Sequence, residues 1–254
     1  MKIEKDYLNH VAESMLCAAT RHNRCLFNVG RQIGTTTFLI NYAAKWFSKN
    51  KKSVVMHFDK QLNAINCWKK IADALYESNI GNEIRPNKRE HVFKTNDPTV
   101  TFVVAYGEVN GQTCLRGAPY ANNVGLYVVD NSDFFDWFPT YNQIRVLNQN
   151  TENIITSCPK PFDGKWTEFK KIIVSNDERW AIKTYSTPVV PADMQGLSEA
   201  MFNCEFKNYT NFFDEMKLLY KNLGNFLFLN KNTIINYVNS SKKQENGSNA
   251  NFKF

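Results

Sequence analysis

The chain has 254 residues, 43% of them hydrophobic and 14% aromatic, enough to build one large core with a small appendage. No apolar run reaches the ~20 residues of a membrane-spanning helix. Six scattered cysteines without a CxxC pair, and four histidines that form no ligand pair, argue against a zinc or disulfide protein and for a reduced setting. The net charge of +7 favours a polyanionic partner, nucleic acid first.

Taken in order, the N-terminus has charged residues at Lys2, Glu4, Lys5 and Asp6 and no apolar stretch of the signal-peptide type behind them. Residues 24–28 predict a first strand. A segment from Phe38 follows in which Leu39, Tyr42, Ala43 and Trp46 share one helical face. Residues 53–58 predict a second strand, and 61–77 a helix with Ile65, Trp68, Ile71 and Leu75 turned inward. The polar stretch 81–96 reads as a surface loop carrying Lys88, Arg89 and Lys94, the candidate DNA contacts.

Residues 99–106 and 112–115 flank Gly107-Glu108-Val109-Asn110-Gly111, which reads as a hairpin turn. Residues 124–129 form an almost unbroken apolar run, as expected of a strand covered on both faces. Further strands are expected at 153–156 and 180–185, with a helix between them at 166–174. Phe134, Phe135, Trp137 and Phe138 read as core or interface rather than as a platform for stacking bases. Strands alternating with helices predict a mostly parallel sheet in a three-layer α/β domain. Beyond about residue 191, two helical stretches and a third apolar segment suggest a small appendage over 191–239. Residues 240–254, rich in Asn, Ser, Lys and Gly, read as a disordered tail.

Two stretches carry chemistry. Asn28-Val29-Gly30-Arg31-Gln32-Ile33-Gly34-Thr35-Thr36-Thr37 joins the first strand to the first amphipathic helix. A glycine-bearing loop in that place aims backbone N–H groups and a helix N-terminus at an anion. Gly34 and Thr36 stand where a phosphate-binding loop keeps its second glycine and its Mg²⁺-binding hydroxyl. Thr35 stands where that loop keeps its lysine. The second stretch, Val124-Gly125-Leu126-Tyr127-Val128-Val129-Asp130-Asn131, is an apolar strand ending in an aspartate that could hold Mg²⁺ through water.

With these motifs in order, the chain resembles the N-terminal ATPase domain of the large terminase subunit of tailed bacteriophages, the motor that pumps DNA into procapsids. Residues 30–37 look like that family's arginine-glutamine-x-glycine-lysine-threonine-threonine loop. Leu115-Arg116-Gly117 looks like its arginine-glycine segment, and 127–131 like its acidic strand. Asn153-Ile154-Ile155-Thr156-Ser157-Cys158-Pro159 is similar to its coupling segment, and 180–185 to the strand leading into its lid. The resemblance implies a P-loop NTPase-like domain of the RecA/ASCE type over 1–190, with a lid-like subdomain behind it. It also implies nucleotide binding by Gly30, Arg31, Gln32, Gly34, Thr35, Thr36 and Thr37. Thr36 and Asp130 would hold Mg²⁺, Arg31 would reach the γ-phosphate, and Thr156 and Ser157 would couple nucleotide state to the lid.

The departures from the pattern point one way. Thr35 replaces the lysine and Asn131 the catalytic glutamate. Residues 1–30 contain no glutamine for an adenine-reading motif. An amide orients water but cannot act as its base, so weak binding of ATP and Mg²⁺ is expected without efficient hydrolysis. About 45 residues follow Thr210, too few for the family's nuclease domain. The leading expectation is a degenerate, pseudo-ATPase terminase-like viral protein. It would bind double-stranded DNA or an assembly partner, in the host cytoplasm or the virion, with no membrane association. A stand-alone packaging ATPase and a purely structural or regulatory virion protein are the alternatives.

Overall fold

A computed structural model describes residues 2–29, 33–78, 80, 83–157, 167–175 and 177–185, the side chains of 2–8 and 174 excepted. The expected appendage and tail, 191–254, lie outside the described residues.

Eight strands and six α-helices alternate along the described chain. They run α1 (Lys2–Arg21), β1 (Arg24–Val29), α2 (Thr35–Asn50), β2 (Ser53–Phe58), α3 (Gln61–Tyr76), β3 (Arg85–Asn87), β4 (Val92–Lys94) and β5 (Thr101–Tyr106). Then come α4 (Gly107–Thr113), β6 (Val124–Val129), α5 (Phe138–Leu147), β7 (Glu152–Ser157), α6 (Glu168–Ser175) and β8 (Ala181–Tyr185). The strands form one sheet in the order β3-β4-β5-β2-β6-β7-β1-β8. Only the β3–β4 and β4–β5 pairs are antiparallel; the rest of the ladder is parallel.

The central strands are apolar throughout because both sheet faces are covered. Alternate side chains go to opposite sides. Phe27, Met56, Val104, Leu126, Val128 and Ile154 pack against α1, α2 and α3. Leu26, Val55, Val103, Tyr127, Val129 and Ile155 pack against α4, α5 and α6. The result is the expected three-layer α/β domain with a mostly parallel sheet. The strand entering the glycine loop, β1, is flanked by β7 and β8, and the strand bearing the acidic residue, β6, lies just beyond β7.

Two expectations are corrected. Residues 81–96 are not all loop: β3 and β4 make a short antiparallel hairpin that extends the sheet at its edge, with Pro86 opposite Phe93. Its proline sits in the edge strand, where a missing N–H costs the ladder little. Nor is 107–111 a hairpin turn. Gly107–Thr113 is a helix, and Asn110 Oδ1 accepts from the Tyr106 amide at its start. Gly111 is needed there because a Cβ would come within 2.2 Å of His57 Cε1. Two helices had no expectation. In α1, Val11, Met15, Ala18 and Ala19 are buried at helical spacing. In α5, Thr140, Tyr141 and Ile144 are buried in the same way. Trp137 is also buried, and Phe135 and Phe138 pack against the same core. Among the described residues no helix is long and apolar enough to cross a membrane.

His57 on β2 ties the second layer together. Its Nε2 donates to the Gly107 carbonyl at 2.8 Å, and the Tyr127 hydroxyl donates to its Nδ1 at 2.8 Å. Burial pushes its pKa down from 6.5 to about 4, against a smaller opposing effect of the Gly107 carbonyl. The unfolded chain therefore takes up a proton below about pH 6.5 that the folded chain refuses until about pH 4. Stability from this residue is intact above pH 6.5 and drains away across that interval, by up to about 3 kcal/mol. Urea midpoints measured between pH 7 and pH 4.5 should fall accordingly, and the His57→Gln variant should show a flatter slope from a lower starting point.

Candidate functional site

The C-terminal ends of β1, β7, β6 and β2 converge on one edge of the parallel sheet, where an α/β domain collects its ligands. From β1 the chain turns through the glycine loop into α2. Gly34 adopts φ +77°, a left-handed conformation that glycine takes without strain, and its carbonyl accepts from the Phe38 amide at 2.9 Å to open the helix. The amides of Thr35, Thr36 and Thr37 are thus in the first turn of a 16-residue helix, with no partner in the helix itself. Gly30, Arg31 and Gln32 lie outside the described residues.

Thr36 and Asp130 are brought together across 94 positions. Thr36 Oγ1 donates to Asp130 Oδ2 at 2.7 Å. From β7, Thr156 Oγ1 approaches Asp130 Oδ1 and the Val129 carbonyl, each at 3.2 Å. Asp130 is 5% exposed. Burial raises its pKa, the hydroxyls of Thr36 and Thr156 oppose that, and the nearby Asp59 adds to it. A desolvated carboxylate beside a threonine whose hydroxyl keeps its lone pairs is a hard-oxygen donor set of the kind that suits Mg²⁺. Among the described residues no group of three or more His, Cys, Asp or Glu side chains is placed to hold a metal. A cation here would therefore share its coordination with phosphate oxygens and water.

Thr35 is half-buried and brings no charge. Asn131 follows Asp130 in the left-handed conformation, φ 61°, which asparagine tolerates better than most residues. Its amide nitrogen lies 3.5 Å from Asp59 Oδ1. Asp59, just beyond β2, was not singled out from sequence. It is an isolated acid before a helix, and only the pairing of β2 with β6 shows where it goes.

Ser157 faces the opposite side of β7 from Thr156. Its Oγ accepts from the Asp133 amide at 3.0 Å. Asp133 accepts from the Thr167 hydroxyl and lies 3.6 Å from Lys170 Nζ of α6, both charges buried. The two candidate coupling residues therefore touch different things: Thr156 the acidic site, Ser157 the buried ion pair under α6. Beside the loop, a groove of about 810 Å³ runs between α1 and α2 from Gly34 and Thr37 past Phe38, Tyr42 and Trp46. At its foot Trp46 Nε1 donates to Glu152 at 2.9 Å.

Lys88, Arg89 and Lys94 are exposed but far from this site. They sit on the β3–β4 hairpin, and β4 is five strand spacings from β1, about 24 Å. Lys94 is bound to Glu90 at 2.5 Å. Among the described residues, none pairs with Arg85, Lys88 or Arg89 in a salt bridge.

At neutral pH the ionised form of Asp130 is costly, because burial raises its folded pKa above that of the unfolded chain. That cost is absent well below pH 4 and grows as pH rises through the folded pKa. Asp130→Asn should therefore hold or raise the thermal midpoint at pH 7.5, by ~2–4 °C for each ~1 kcal/mol relieved. The same variant should lose any Mg²⁺-dependent stabilisation by nucleotide. Calorimetric scans with and without Mg²⁺–ATP check both.

No protein-family model and no curated protein matches the sequence. Among solved structures the chain is similar to the large terminase ATPase domain of Thermus phage P74-26, with 13% identity, TM-score 0.47, 61% of this chain and 65% of that one. It is similar also to the large terminase of the thermophilic bacteriophage D6E, with 9% identity, TM-score 0.43, 65% of this chain and 40% of that one. A further structure of that terminase, in complex with ADP, is similar at 9% identity and TM-score 0.41 over the same shares. The chain thus spans less than two thirds of the length of either protein.

Proposed function

We propose that this chain is a terminase-like viral protein whose phosphate loop still holds nucleotide weakly, and which acts by binding duplex DNA or an assembly partner. The observation that carries the reading is the Thr36–Asp130 hydrogen bond at 2.7 Å. It pairs the hydroxyl of the loop with the acid of the apolar strand, the two groups a bound Mg²⁺–nucleotide would require. The residues of the resembled loop are the candidate binding set: Gly30, Arg31, Gln32, Gly34, Thr35, Thr36 and Thr37. The groove between α1 and α2 gives a base and sugar room beside it. Thr156 and Ser157 are the candidates for coupling, since β7 is the strand that touches both the acid and the buried ion pair.

Hydrolysis is another matter. Thr35 supplies no cation to the phosphates and Asn131 no base to the water. Loss of one cationic group from a phosphoryl-transfer site costs ~10³–10⁵ in rate. The isolated chain should therefore turn over ATP at background. Backbone amides and the helix dipole do not depend on the lysine, so anion binding survives at millimolar strength. Calorimetric titration with ATP and with sulfate should show it, and Arg31→Ala should weaken it several-fold. A loop that stays empty at tens of millimolar ligand supports a purely structural role instead.

For DNA, the exposed cations of the hairpin, Lys88, Arg89 and Lys94, are the candidate contacts. Duplex affinity should fall steeply with salt and be indifferent to sequence. Replacing Lys88 and Arg89 together by alanine should lower the slope of log K against log salt by about 2. Lys94→Ala should change it less, because Glu90 already balances that charge. Fluorescence anisotropy across a salt series reads both.

A further inference from the structure

The resembled motif keeps its water-activating acid at the position of Asn131, yet an acid is present one strand away. Parallel pairing of β2 with β6 matches Met56 to Val128 and His57 to Val129, and the Asp130 amide donates to the His57 carbonyl at 2.9 Å. Continued two residues past the paired positions, that register sets Asp59 alongside Asn131, about 4.8 Å across the sheet. The side chains meet: Asn131 Nδ2 is 3.5 Å from Asp59 Oδ1, and Asn63 Nδ2 donates to the same oxygen at 2.6 Å. Asp59 Oδ2 accepts no hydrogen bond from any described residue. Asp59 is only partly buried, so that oxygen can meet water, and its charge is felt at Asp130.

We propose that Asp59 is the catalytic carboxylate of this site, displaced by one strand from position 131, with Asn131 and Asn63 holding one of its oxygens so that the other faces the attacking water. In the step this serves, the water oxygen bonds to the γ-phosphorus of a nucleoside triphosphate while the bond from that phosphorus to the β–γ bridging oxygen breaks. The nucleoside diphosphate departs with the bonding electron pair, and the water's proton passes to Asp59 Oδ2 and then to solvent. The site then lacks its cation at Thr35 but not its carboxylate. This rests on the reading that the loop binds nucleotide.

The test uses the full chain, with Mg²⁺ throughout. Affinities for a non-hydrolysable ATP analogue and for ADP with aluminium fluoride, which mimics the transferring phosphoryl group, are measured for the wild type and for Asp59→Asn. They are repeated for Thr35→Lys and for Thr35→Lys with Asp59→Asn. Asparagine at 59 keeps an oxygen for Asn63 and Asn131, so the local fold is retained. The expected result is that Asp59→Asn changes analogue affinity less than about threefold in either background. It should weaken the fluoride complex more than tenfold. Thr35→Lys alone should turn over ATP above background with Asn131 untouched, and adding Asp59→Asn should lower its single-turnover rate by ~10²–10⁴. Equal fluoride affinities with and without Asp59 overturn the proposal and leave nucleotide binding standing, as does turnover that appears only when Asn131→Glu is added. No analogue binding by the wild type or by Thr35→Lys overturns the nucleotide reading, and this proposal with it.

Discussion

One hydrogen bond, from Thr36 to Asp130, depends on nearly everything else in the molecule. Its partners are 94 residues apart and leave from strands that are not neighbours. They meet because β7 lies between β1 and β6 with all three strands parallel, so that the loop and the acid emerge at the same end of the sheet. β7 also contributes Thr156, which closes the second oxygen of the same carboxylate. A buried acid is expensive unless satisfied. The strand order is therefore also the arrangement that makes Asp130 tolerable in the core.

Much of this could be read from the chain. The strands at 53–58 and 124–129 were legible to the residue, because a parallel strand covered on both faces spells a plain apolar run. Strands β1 and β7 were legible to within a residue or two from shorter apolar runs, and β8 from the β-branched and aromatic residues of its edge strand. The β3–β4 hairpin was not, since Arg85-Pro86-Asn87 has no strand character and pairs only because β5 offers an edge. The helix α4 was hidden by two glycines that look like a turn. One of them, Gly111, is there because the His57 ring leaves no room for a side chain. At the site, Gly34, Thr36 and Asp130 were legible as motif. Asp59 was not, because its relation to Asn131 is a matter of cross-strand register, which local pattern does not encode.

The packing of α2 shows a similar economy. Trp46 rests on Gly125 of β6, where a Cβ would stand 2.5 Å from its ring. The indole then reaches Glu152 at the start of β7, with Tyr42 Oη 3.5 Å from the same oxygen. The helix that opens at the glycine loop is thus fixed, some three turns further on, to the far ends of the two strands that carry Asp130 and Thr156. It is held from behind, near its C-terminal end.

The alternation of Thr156 and Ser157 restricts what the end of β7 can do. Strand side chains alternate with a period of two, so a slip of one residue would bring Ile155 against Asp130 and Thr156 against Asp133, or Ser157 against Asp130 in the other direction. Neither side of the sheet could repair such an exchange locally. Any shift of this strand end would therefore disturb the contact to Asp130 on one face and the contact to Asp133 on the other together. The end of β7 is thus a wall shared by the acid on one face and the buried ion pair on the other.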